Sequence, residues 1–203
     1  SSSSVQFLVL GFCIGCCAGF GVPVAKYFGA GDHRTMQNYI FNGAVLTAII
    51  AAILMIACSL SCGQILHLLS VPDDIFGNAY VYLIVIFIGI PFTLLYNYLS
   101  SILRSVGDSR TPFLFLGFSA VLNIFLDLFC IVVLHWGCAG AAIATITAQA
   151  ASGILCLIFI VRKMKLLRFH KENRQLQGSV AGELLKMGIP TGLQFSITAV
   201  GSM

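Results

Sequence analysis

The sequence predicts an all-α, polytopic bundle of membrane-spanning helices, and three observations carry that prediction. Of 203 residues, 59% are hydrophobic and only 9% charged, where soluble domains carry about 25% charged residues. The mean hydropathy is +0.99. The charges are also clustered, leaving residues 5–25, 35–72, 75–103 and 128–161 with none. A helix needs roughly 20 apolar residues to cross a bilayer, so each run is long enough to span. The formal net charge of +4 therefore belongs to short loops, where Lys and Arg set topology; no nucleic-acid surface is implied.

In chain order, five spans are predicted over residues 5–27, 38–62, 76–103, 113–134 and 139–161. A turn at His135-Trp136-Gly137 separates the last two, with Trp136 suited to the membrane interface. A sixth apolar run starts near Met187 and stops at Met203 before a full crossing. The chain is accordingly expected to be a fragment. All eleven Lys and Arg fall on one side of this arrangement. Lys26, Arg34, Arg104 and Arg110 flank turns, and most of the others fill residues 162–174. The opposite side holds Asp73, Asp74 and the Trp136 turn, so the basic side is expected to be cytoplasmic. The basic 162–174 stretch reads as an anchor near lipid headgroups.

Small residues mark where helices approach closely. Gly11, Gly15 and Gly19 recur every four residues in the first span, and Gly140, Ala144 and Ala148 in the fifth. Pro23 and Pro91 remove backbone donors inside or at the end of spans, which membrane helices tolerate when neighbours satisfy the freed groups. Pro91 reads as a static kink or a hinge. The eight cysteines sit in or beside the apolar runs, including Cys13-x-x-Cys16 without a second pair or nearby His. They read as small apolar residues, and no metal site is expected.

Asp127, in LNIFLDLFCIVVL, is the one ionisable group deep within a span. A charge at that depth costs several kcal/mol, so it is expected to face a cavity or a partner. Asn123 lies four residues earlier, on the same helical face. Asp127 lies nine residues from Trp136, about 13 Å of helix rise. Nine residues forward along the antiparallel fifth helix reach Thr145, with Gln149 one turn further in. A carboxylate, an amide and a hydroxyl thus converge, a donor set that suits a hard cation exchanging with a proton. The alternative role for Asp127 is a protonated interhelical hydrogen bond to Asn123. No HExxH, GxSxG or P-loop pattern is present, so intramembrane proteolysis and ATP-driven transport lack their chemistry. No enzyme activity is expected.

Five motifs in order resemble the MATE family of multidrug and toxic compound extrusion transporters. They are GVPVAKYFGAGD, LSSILRSVGDSRTP following Pro91, LNIFLD, GCAGAAIATITAQ and KMGIPTGLQ. The resemblance aligns the chain with that family's helices 2 to the start of 7. It implies most of the first six-helix lobe of a twelve-helix, two-lobe transporter. Residues 1–180 would then be that lobe and a cytoplasmic linker, with residues 181–203 opening the second lobe. It further implies a secondary active antiporter, driven by Na+ or H+, that exports drugs and other small organic, often cationic, compounds. The family's cation-site Asn, Asp and Thr map onto Asn123, Asp127 and Thr145, and Lys26 stands where many relatives have Gln. The expected setting is the prokaryotic inner (plasma) membrane, multi-pass and monomeric at full length, with the lipid bilayer as partner and no cofactor beyond the coupling ion. Two alternatives stay open: a flippase for lipid-linked saccharides of the same superfamily, and a channel-like or structural subunit.

Overall fold

The computed structural model describes residues 2–68, 73–135, 137–163 and 178–201. Among these residues seven α-helices follow one another as α1 (Ser2–Gly29), α2 (His33–Leu68), α3 (Asp73–Ile88), α4 (Ile90–Ser105), α5 (Arg110–Leu128), α6 (Gly137–Lys163) and α7 (Gly178–Gly201). A single π-helical turn, Phe129–Val133, extends α5. No strand occurs among the described residues. Among the described residues, four stretches are long and apolar enough to cross a membrane, Leu8–Gly29, Thr35–Gln64, Arg110–Val133 and Gly140–Ile160, or five if the bent α3–α4 pair forms one span. The chain is thus a multi-pass membrane helix bundle.

The third predicted span, residues 76–103, is not one straight helix. It breaks at Gly89 into α3 and α4, bent by 46°. Pro91 sits in the first turn of α4, where its missing N–H costs nothing, so the proline starts a helix rather than kinking one. Ile146 of α6 fills the bend, since a Cβ on Gly89 would lie 2.0 Å from Ile146 Cδ1. Elsewhere the helices overrun their apolar cores. The helix of the second span covers His33–Leu68 instead of residues 38–62, and α7 begins at Gly178, nine residues before Met187. The polar ends continue because backbone hydrogen bonding does not stop at the membrane surface. The turn at Trp136 and the basic residues Lys165, Arg168, Lys171 and Arg174 lie outside the described residues.

Two turns at the same end of the bundle share one construction. Gly31 and Gly107 take positive φ, 76° and 89°, a conformation that favours glycine. The next residue caps backwards in each case, Asp32 N–H to Tyr27 O at 3.0 Å and Asp108 N–H to Leu103 O at 2.8 Å. The same aspartates accept from the following helix, from Thr35 N–H at 3.2 Å and Thr111 N–H at 3.0 Å. Both turns read Gly-Asp-x-Arg-Thr, so each stops one helix and starts the next.

α1 is the central helix. It runs parallel to α4, with Ser101 Oγ donating to Cys17 O at 2.8 Å and Ser105 Oγ to Gly21 O at 2.9 Å. It runs antiparallel to α7, Gly15 facing Gly192 and Gly19 facing Gly188. Ser196 Oγ reaches Leu8 O at 2.8 Å further along the same seam. Tyr39 of α2 donates to Glu183 of α7 at the other end. The small-residue stripe of the first span is therefore the α1–α7 seam. These registers gather residues Lys26, Arg34, Arg104, Arg110, Arg162 and Lys186 at one end of the bundle.

Candidate functional site

α5 buries a single narrow stripe. Pro112, Ser119 and Cys130 are buried along it, while Phe113, Ile124, Phe125 and Leu128 point outward, each more than half exposed. Residues four apart share a helical face, so Ser119, Asn123 and Asp127 follow one another on that stripe. Across the seam, α6 presents Thr145, Gln149 and Ser152, with Ala144 and Ala148 fully buried beside them. Polar residues thus line the one contact surface that α5 offers. Its other faces are apolar and suited to lipid.

Two hydrogen bonds fix the antiparallel register. Asn123 Nδ2 donates to Thr145 Oγ1 at 3.5 Å, and Ser152 Oγ to Phe115 O at 3.5 Å. Ser119 consequently falls opposite Gln149. Thr145 lies opposite Asn123, and not opposite Asp127 as uniform counting from the Trp136 turn predicts. A π turn between Asp127 and the outer end contributes to the difference. Leu134 N–H bonds to Phe129 O, five residues back, at 3.1 Å. Such i→i+5 bonding packs more residues into a turn and lowers the rise per residue. Asp127 therefore sits nearer the outer end than an α-helical count places it. π turns of this kind are rare and recur at functional sites.

The chemistry of the seam is a surplus of acceptors. Thr145 Oγ1 commits its own proton to Ala141 O at 3.0 Å, leaving oxygen lone pairs for Asn123 and one further partner. Asn123 Oδ1, Asp127 Oδ1 and Gln149 Oε1 are all buried and have no hydrogen-bond partner among the described residues. Buried polar atoms are normally paired, because an unpaired one costs about 1–3 kcal/mol. Three such oxygens, on Asn123, Asp127 and Gln149, lie along this one seam. The donors are hard oxygens, which suit alkali or alkaline-earth ions over soft metals. Among the described residues no three His, Cys, Asp or Glu gather closely enough to hold a metal ion.

Of the sequence-predicted residues, Asn123 and Thr145 meet across α5 and α6, Asp127 and Gln149 lie a turn along the seam to either side, and Pro91 belongs to the α3–α4 bend. Lys26 lies away from the seam, its Nζ 5.4 Å from the Tyr27 ring centroid at the basic end. Sequence reasoning did not single out Ser119, Ser152 or Ile146. Ser119 sits four residues before Asn123, so its periodicity was visible, but its partner was not.

A family model for MatE matches residues 1–129. The probable multidrug resistance protein YpnP of Bacillus subtilis is 34% identical over 202 residues, covering 100% of this chain and 45% of that protein. The probable multidrug resistance protein NorM of Thermotoga maritima is 29% identical, covering 98% of this chain and 44% of that protein. An inward-facing multidrug resistance MATE family transporter of the MOP superfamily superposes with a TM-score of 0.89. It shares 21% identity over 97% of this chain and 46% of that one. The chain thus spans less than half the length of these relatives. With well over half its residues matched by the family model, and the same fold in the solved relative, the chain belongs to the MatE family.

Proposed function

We infer that the chain supplies the first lobe of a secondary active antiporter that exports drugs and other small organic, often cationic, compounds. Its relatives' descriptions as multidrug resistance proteins support the substrate class. The close α1–α7 seam supports an arrangement in which α7 opens a second lobe, and transport proceeds by one bundle moving against the other. The basic end faces the cytoplasm of a prokaryotic cell, by the Lys and Arg partition. The protein works as a monomer at full length, with Na+ or H+ as coupling ion and no other cofactor.

One observation carries the coupling assignment: three buried acceptor oxygens without partners, on Asn123, Asp127 and Gln149, along a single helix seam. Asp127 is the ionisable member. Its carboxylate is the group on the seam that can hold either a cation or a proton as access alternates. Asp127→Asn keeps size and polarity and removes the titrating oxygen. Ethidium efflux from cells expressing the variant should lose its dependence on a Na+ or H+ gradient while membrane insertion stays at wild-type level. Gradient-driven efflux unchanged in Asp127→Asn would leave Asp127 as interhelical glue.

A further inference from the structure

The contact between α1 and α7 changes character along its length. In the middle the two backbones meet directly. A Cβ on Gly15 would lie 2.5 Å from Gly192 Cα, and one on Gly19 would lie 2.7 Å from Gly188 Cα. Small residues let membrane helices approach this closely, and the point of least separation is the natural fulcrum of the seam. Toward either end a polar contact takes over. At the cytoplasmic end Tyr39 of α2 donates to the Glu183 carboxylate of α7. At the outer end Ser196 Oγ of α7 donates to Leu8 O of α1 at 2.8 Å. Glu183 stands five residues before Gly188, and Ser196 four residues after Gly192. The two contacts therefore lie about 8 Å and about 6 Å beyond the glycines, on opposite sides.

The two end contacts are unequal. Tyr39 is 5% exposed, and its ring lies on that of Tyr27 with centroids 5.0 Å apart. Tyr98 Oη donates to the adjacent Ile40 O at 2.5 Å and ties α2 to α4, while Ser101 and Ser105 tie α4 to α1. The donor is thus held firmly by three helices. Its acceptor is a carboxylate, and hydrogen bonds to an ionised group are roughly twice as strong as neutral ones. Ser196 offers only a neutral hydroxyl to a neutral carbonyl. We propose that the Tyr39–Glu183 pair is a cytoplasmic latch between the lobes, with the glycine contacts as its fulcrum, and that it biases the resting transporter toward opening outward at the weaker Ser196–Leu8 contact. The inference rests on the reading of α7 as the first helix of a second lobe that moves against the first. A rigid lobe turning about the glycines opens one end while it holds the other, so the two polar contacts alternate. Opening to the cytoplasm requires the Tyr39 hydroxyl to leave Glu183, and outward opening keeps that pair intact.

The test follows maleimide labelling of one reporter cysteine at a time in the full-length protein, without drug or imposed ion gradient. Leu184→Cys, at a fully buried position next to Glu183, reports cytoplasmic opening when a membrane-impermeant maleimide is added to inside-out vesicles. Ser196→Cys, at a position 4% exposed, reports outer opening when the same reagent is added to intact cells. The protein without a reporter supplies the background rate of its native cysteines. Tyr39→Phe keeps the ring on Tyr27 and removes only the donated hydroxyl. Combined with each reporter in turn, it should raise labelling of Leu184→Cys about tenfold, the worth of one hydrogen bond to a charged group. It should lower labelling of Ser196→Cys. Glu183→Gln keeps an acceptor without the charge and should give a smaller shift of the same sign. Unchanged rates at both reporters overturn the latch. A rise at both also overturns it, because loosened packing exposes the two ends alike. Ethidium efflux by the wild-type protein is measured separately, so failure of the antiport reading and failure of the latch are read from different experiments.

Discussion

Asn123 on α5 donates its side-chain amide to the Thr145 hydroxyl on α6 at 3.5 Å, and Thr145 passes its own proton to Ala141 O at 3.0 Å. The relay aims the Asn123 carbonyl oxygen into the seam, where it has no partner among the described residues. Thr145→Val removes the acceptor and nearly preserves shape. It should weaken apparent cation affinity by about 1.5–3 kcal/mol, the worth of one hydrogen-bond-like contact to a charged group. Asn123→Ala should fall in the same range, and both should be milder than Asp127→Asn. The cation concentration for half-maximal dye efflux reads the series. A loss in Thr145→Val as complete as in Asp127→Asn would contradict the ligand hierarchy.

The α1–α7 seam tolerates no side chain at its centre. A Cβ on Gly15 would lie 2.5 Å from Gly192 Cα and 2.6 Å from Thr191 O, both backbone atoms that cannot yield locally. Gly15→Ala should therefore destabilise the protein by about 1–3 kcal/mol through overpacking. Gly117→Ala, on α5 where nothing lies within 4 Å, should be neutral or stabilising by up to about 1 kcal/mol. Thermal melting in detergent compares the two. Equal melting temperatures would mean that the seam is looser than described.

The repeated Gly-Asp-x-Arg-Thr turns should behave as a matched pair. Asp32→Ala removes acceptors of Thr35 N–H at 3.2 Å and Thr35 Oγ1 at 2.7 Å, and Asp108→Ala that of Thr111 N–H at 3.0 Å. Each should cost about 0.5–2 kcal/mol, the usual worth of a helix-start cap. Gly107→Ala should cost about 1–2 kcal/mol through its left-handed φ of 89°, without any clash. Denaturation of the single variants, followed by helical signal, checks these values. A neutral Gly107→Ala would show that the turn adopts another conformation.

Orientation is testable by labelling. A cysteine replacing Asp74, at the start of α3, should react with a membrane-impermeant maleimide added outside intact cells. A cysteine replacing Arg162, at the end of α6, should react only after permeabilisation. Both residues are exposed. The reverse pattern would invert the topology that the Lys and Arg partition predicts.

The sequence by itself determined the fold class and the family, because each rests on local quantities. Charge-free runs of membrane length need no knowledge of neighbours, and Gly31, Gly107 and the motifs around them act within a turn. Asn123 and Asp127 were equally legible, since a carboxylate in an apolar run stands out and residues four apart share a face. Tertiary structure alone decided the rest. It placed Thr145 opposite Asn123, where the two side chains hydrogen-bond across the seam. It turned residues 76–103 into two helices, because Ile146 fills the bend at Gly89. It also brought Ser119 opposite Gln149 and Gly15 against Gly192. Pairings between helices depend on register and crossing, which are set by packing over the whole bundle and are not written in either helix alone.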